Sequence, residues 1–132
     1  MKKHIYILGI IVLIVDILLV SSVSGKTKTP GSGGVLSVND IQADPSAYKG
    51  VVTITGVVAK VDPSHPEYFA LIDTKEAKLC KSTGCANFYL PVQYDGKPPT
   101  EWDEINVTGT FAQDGSLFTS TKVEVLKHLT FE

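Results

Sequence analysis

From Val51 onward, apolar and polar residues alternate as a strand requires, with successive side chains pointing to opposite faces. Val51 to Val61 is rich in β-branched residues and carries Gly56 near its middle, where a strand bends or bulges. Asp62-Pro63-Ser64-His65-Pro66 predicts a turn, Tyr68 to Ile72 a second strand, and Asp73 to Gly84 a loop. Asn87 to Tyr94 puts Phe88, Leu90, Val92 and Tyr94 on one face. Pro91 lacks a backbone donor, which places that third strand at an edge or a barrel opening. A longer connection follows through Asp95-Gly96, Pro98-Pro99 and Trp102. Ile105, Val107, Gly109 and Phe111 then alternate with Asn106, Thr108 and Thr110, Asp114-Gly115 makes a hairpin turn, and Leu117 to Leu126 forms the fifth strand. Ahead of the strands, Ser37 to Tyr48 reads as a short helix capped by Asn39 or Asp40, broken at Pro45 and ended by Gly50. Five short strands with these turns predict an all-β closed barrel; the competing β-sandwich wants more strands.

The N-terminus follows a different rule. Met1-Lys2-Lys3-His4 is basic, and Ile5 to Val20 is apolar apart from Gly9 and Asp16. A mid-membrane carboxylate costs about 2.5–3.5 kcal/mol, which the surrounding Ile, Leu and Val residues outweigh. Residues 1–25 therefore predict one hydrophobic helix, either a signal peptide or a transmembrane signal anchor. Small residues at Ser22-Val23-Ser24 suit cleavage. Lys2 and Lys3 hold the N-terminus in the cytoplasm, so the rest is expected on the extracytoplasmic face of the cell membrane, single-pass, or secreted if cleaved. Residues 26–34, Lys26-Thr27-Lys28-Thr29-Pro30-Gly31-Ser32-Gly33-Gly34, form a flexible linker, and residues 35–132 the barrel domain.

Val38-Asn39-Asp40-Ile41, Tyr48-Lys49-Gly50 and the strand Val52-Thr53-Ile54-Thr55-Gly56-Val57-Val58 resemble the lead-in and first strand of extracytoplasmic OB modules. The expected fold is thus a small five-stranded OB-type barrel preceded by the N-terminal helix. A bend at Gly56 suits a strand that serves both halves of such a barrel. Residues 35–132 hold eight lysines, no arginine and 13 acidic residues, a formal charge of −5. That balance opposes a phosphate-backbone partner, so no nucleic acid is expected. Tyr68, Phe69, Phe88 and Tyr89 are nonetheless candidates for stacking.

Cys80-Lys81-Ser82-Thr83-Gly84-Cys85 is the only cysteine pair. Outside the cytoplasm its default is a disulfide that pinches the loop before the third strand. The spacing does not suit a thioredoxin-like centre, covalent haem attachment through C-x-x-C-H, or a four-ligand zinc site, for which only His65 stands near. No nucleophile–histidine–acid constellation or phosphate loop is present, so the chain is not expected to be an enzyme. Asn106-Val107-Thr108 is a glycosylation sequon whose Asn106 and Thr108 should point outward from a strand.

Leu71 to His128 resembles the CcmE family of haem chaperones of cytochrome c maturation. The residues that carry the resemblance are Asp73, Pro91-Val92-Gln93-Tyr94-Asp95-Gly96, Pro99, Val107, Gly109 and Val125-Leu126-Lys127-His128, taken in that order. Cys85-Ala86-Asn87-Phe88-Tyr89 is similar to a variant attachment motif of that family, although it stands before the third strand. The resemblance implies a membrane-anchored barrel that binds haem, with His128 as covalent attachment point and iron ligand and Phe131 against the porphyrin. Cytochrome c maturation proteins and the membrane would be its partners. The family tyrosine falls at Glu132. The alternative is a non-catalytic OB-fold envelope module without a haem role. It would bind a protein partner or small ligand through the barrel face near the Cys80–Cys85 loop.

Overall fold

A computed structural model describes residues 34–132. The predicted helix over 1–25 and the linker up to residue 33 lie outside the described residues. The elements in chain order are β1 (Val35–Ser37), α1 (Val38–Gln42), a 3-10 turn (Pro45–Ala47), β2 (Val52–Val61), β3 (Tyr68–Ile72), α2 (Thr74–Cys80), β4 (Leu90–Gln93), β5 (Asp103–Phe111) and β6 (Phe118–His128). The six strands run in the order β1-β2-β3-β4-β6-β5, and β5 pairs back onto β2. That closure, with β4 and β6 parallel and the other barrel pairs antiparallel, gives an OB-like all-β barrel.

The extra strand is β1. It lies parallel to β2 at Val35↔Thr53 to Ser37↔Thr55, while the same stretch of β2 pairs β5 on its other side. Helix α1 starts where Ser37 accepts from the Asp40 backbone N–H and Asp40 accepts from the Ser37 N–H, a reciprocal capping box. Ser37 is therefore the cap, and Asp40 the third residue of the helix, correcting the assignment to Asn39 or Asp40. Pro45 opens the 3-10 turn, so the predicted break is present.

The interior follows the alternation. Ile54 and Val58 of β2, Phe69 and Leu71 of β3, Leu90 and Val92 of β4, Ile105 and Val107 of β5 and Phe118 of β6 form one buried core. Val38 and Ile41 of α1 close one end of it. A Cβ at Gly56 would stand 2.9 Å from both the Ile72 carbonyl oxygen and Val38 Cγ2. Gly56 thus serves close approach of α1 and β3, whereas the β2–β3 register slips between Val58 and Lys60.

The predicted loop over Asp73 to Gly84 is a helix in its first half. Asp73 caps α2 by accepting from the Lys75 N–H at 2.9 Å, and its other oxygen accepts from the Asn39 N–H at 3.2 Å, tying α2 to α1. Only Ala77 of this helix is buried, so its apolar periodicity is too faint to read. Ala77 joins Val57, Ala59, Ile72 and Leu129 in a second, outer cluster.

Candidate functional site

β3 carries the alternation that builds a groove. Phe69 and Leu71 point into the core, which turns Tyr68 and Ala70 outward. On β4, Leu90 and Val92 are fully buried and Pro91 faces out. The register sets Lys60 beside Ala70 and Ala70 beside Pro91, one row across three strands. The β4–β6 ladder begins at Val92, so Pro91 sits just outside it, where its missing donor leaves no gap. Tyr68 and Tyr89, each 40% exposed, flank the row. Together with Asp62 and Pro63 these residues line a groove of about 340 Å³.

The groove's rim is organised by backbone hydrogen bonds. Asp62 and Tyr68 join the strand ends through the Asp62 N–H to the Tyr68 carbonyl, 3.1 Å, and the Tyr68 N–H donates to the His65 carbonyl at 2.9 Å. The Asp62 carboxylate accepts from the Ser64 N–H at 2.9 Å and the His65 N–H at 3.3 Å. The Ser64 backbone N–H, above all, holds the Asp62 carboxyl below the usual carboxylate value. The rim is therefore anionic at neutral pH, with Lys60 as a single cation among the groove-lining residues.

The other end of the groove leans on the cysteine loop. Cys80 and Cys85 are joined as a disulfide. Lys81 takes a left-handed backbone, φ 52°, and its N–H donates to the Ala77 carbonyl to finish α2. Glu76 accepts from both the backbone and side-chain N–H groups of Asn87, at 3.2 and 2.9 Å. The Tyr89 hydroxyl donates to the Thr83 carbonyl at 2.7 Å. The loop between the cysteines thus holds one of the two groove tyrosines by its hydroxyl. Of the four aromatic residues singled out from the sequence, Tyr68 and Tyr89 flank the groove, Phe69 belongs to the core and reaches the groove's lining, and Phe88 packs on the core. Lys60, Asp62 and Pro63 were not singled out. The alternation that turns Ala70 and Pro91 outward was the available signal for the strands, but the slip near Ala59 hid the orientation of Lys60.

His128 and Phe131 are not among the residues that line this groove. His128 stands opposite Asp103 in the β5–β6 register, and its Nδ1 is 2.8 Å from the Asp103 carboxylate. The second Asp103 oxygen accepts from the Thr100 N–H. Beyond the strand, the Leu129 N–H donates to the Trp102 carbonyl, and Trp102 donates its own N–H to the Val58 carbonyl. Phe131 meets Trp102 edge to face with ring centroids 5.0 Å apart. Next to this segment the buried Glu104 carboxylate lies 3.6 Å from Lys78 and 3.5 Å from Lys127, linking β5 to α2 and β6. His65 sits in its turn, 3.4 Å from Glu67. Among the described residues no group of His, Cys, Asp and Glu could hold a metal ion.

No family model matches this chain, and no curated protein matches it. Among solved structures it is similar to the telomere capping protein Ten1 from Saccharomyces pombe, with 14% identity, a TM-score of 0.46 and coverage of 69% of this chain and 78% of that one. It is likewise similar to a chain of the S. pombe Stn1–Ten1 complex, with 16% identity, a TM-score of 0.45 and coverage of 73% and 80%.

These findings correct several expectations. The matching structures are of telomere capping proteins and not of CcmE haem chaperones, so the resemblance and the haem-chaperone role drawn from it are withdrawn. His128 and Phe131, the residues expected to hold haem, lie against Asp103 and Trp102. The expected membrane and cytochrome c maturation partners, and the extracytoplasmic single-pass location, go with that role. No helix among the described residues is long and apolar enough to cross a membrane, and residues 1–25 lie outside them. The exclusion of nucleic acid is withdrawn with these expectations. Its physical weakness is that the charge of a whole domain is an average, while the groove itself pairs two tyrosines with Lys60.

Proposed function

We propose that this chain is a non-catalytic binding module, a five-stranded OB-type barrel that holds an extended segment of a partner protein in the groove outside β3 and β4. The observation that carries the reading is the pair of half-exposed tyrosines, Tyr68 and Tyr89, around Ala70 and Pro91 on a rigid strand pair. Large amphipathic rings offer contact area at low entropic cost, and a groove lined by tyrosine and proline suits an extended, apolar, proline-containing strand. Asp62 at the rim favours a segment that brings a lysine or arginine beside it. The Cys80–Cys85 disulfide serves here as a structural staple of the groove's edge.

The test is a peptide array in which apolar and proline content and lysine number vary independently, probed with the full chain. Basic, proline-containing peptides are expected to dominate, and each of Tyr68→Ala and Tyr89→Ala is expected to weaken them about tenfold, the effect of losing roughly 1.4 kcal/mol at an interface anchor. Array binding indifferent to both tyrosines would remove the reading. Tighter tyrosine-dependent binding of single-stranded oligothymidylate than of any peptide would replace it with a stacking platform for nucleic acid.

A further inference from the structure

The edge of the groove is built from a segment with almost no packing of its own. From Leu79 to Cys85 every residue is exposed except Thr83, which is partly buried. Leu79 is 86% exposed, so the apolar side chain best able to anchor this segment does not. What fixes the course of the loop is the Cys80–Cys85 bond, together with the Lys81 N–H to Ala77 carbonyl hydrogen bond and a 3.2 Å contact from the Gly84 N–H to the Ser82 hydroxyl. Inside that covalent ring stands Thr83, whose carbonyl receives the Tyr89 hydroxyl. Both cysteines are exposed, so a reductant reaches them without unfolding the barrel.

We propose that the Cys80–Cys85 disulfide is a redox control on the groove: the oxidised loop presents the Thr83 carbonyl that holds the Tyr89 ring in its binding position, and reduction lets that ring go. The proposal rests on the partner-binding reading of the groove. The reductant is a dithiol. One of its thiolates attacks a cysteine sulfur, forming a mixed disulfide and releasing the other cysteine as a thiolate. The second thiol of the reductant then displaces the remaining cysteine and closes its own disulfide. Two electrons pass to the protein, both cysteines take up protons, and the reductant leaves as a cyclic disulfide. Afterwards the loop is held only by hydrogen bonds in water, and the Tyr89 side chain must be ordered anew each time a ligand binds. Affinity falls by about three- to tenfold, the effect of ordering one long side chain on binding.

The experiment measures binding of one lysine-flanked, proline-rich array peptide to the full chain, oxidised and after dithiothreitol, by titration calorimetry. Side-chain NMR of the Tyr89 ring accompanies it without ligand. Weaker binding and a mobile Tyr89 ring in the reduced chain are expected. The double variant Cys80→Ser with Cys85→Ser should match the reduced chain in any buffer. Tyr89→Phe, which keeps the ring and removes its hydroxyl, should bind at the reduced level in both states. Equal affinity and an unchanged Tyr89 ring in the two redox states overturn the switch. Tyr68→Ala separates the two ideas. If it weakens binding about tenfold while reduction changes nothing, the groove stands and the switch falls; if neither it nor reduction matters, the groove itself falls.

Discussion

The outer face of β2 and β3 has two halves that the chain treats in opposite ways. Toward Ile72, the face is covered: Val57, Ala59 and Ile72 pack under Ala77 of α2 and Leu129 of the C-terminal segment, and Trp102 and Phe131 close the layer. Toward Tyr68, no described residue covers the same face, and Tyr68, Ala70, Pro91 and Tyr89 line an open groove. Both halves are rich in aromatic and apolar atoms. The difference is that the first half covers its own residues and the second leaves them exposed. In the first half His128 pairs with Asp103 and Phe131 with Trp102, contacts that residue type alone does not reveal.

Truncating the covered half should appear as lost stability and leave the groove alone. Trp102→Ala removes a half-buried indole between Phe131 and the outer cluster, and a loss of about 3 kcal/mol in denaturant unfolding is expected. Its backbone, at φ 72°, is held by hydrogen bonds to Val58 and Leu129 that the alanine retains. Severing the disulfide in Cys80→Ser with Cys85→Ser, at the groove's edge and outside the covered half, should cost about 2 kcal/mol from the loop-closure entropy of so short a ring and weaken peptide binding as well. His128→Ala should cost about 1 kcal/mol, because its hydrogen bond to Asp103 is half solvent-exposed. A terminal strand that frayed at His128 would show no change.

The groove should behave in the reverse manner. Tyr68→Ala is expected to change unfolding by no more than about 0.5 kcal/mol while weakening peptide binding. The smallest expected effect is at the rim. Asp62 has a depressed carboxyl pKa in the folded chain, so its contribution is present above the unfolded value near 3.8 and is lost as pH falls through the lower folded value. An NMR titration of the Ser64 amide should accordingly show a midpoint below that value, and Asp62→Asn should erase the titration.

Much of the barrel is legible in the sequence because its physics is local. The alternation from Ile105 to Phe111 and the turn at Asp114-Gly115, where Gly115 has φ 73°, need no distant partner to be read. The third strand is shorter than Asn87 to Tyr94 suggests, since Asn87 is taken up by Glu76 and Tyr89 by Thr83. Helix α2 left only the pattern of Asp73 followed by Glu76, a capping signal with no apolar stripe behind it. The pairing of His128 with Asp103 was out of reach for another reason. It depends on a cross-strand register with two slips, at Glu104/Ile105 and Thr108/Gly109, which no spacing along the chain encodes. Of the groove, the two tyrosines were visible as candidates for stacking. That one faces out of a strand and the other is held by a disulfide loop was not.

The most direct test of the account is amide NMR mapping of the full chain during titration with the lysine-flanked, proline-rich peptide. Shifts are expected to concentrate at Lys60, Asp62, Tyr68, Ala70 and Tyr89, with residues 123–131 unmoved. Shifts centred instead on Val125, His128 and Phe131, with the Tyr68 and Tyr89 signals unchanged, would contradict it.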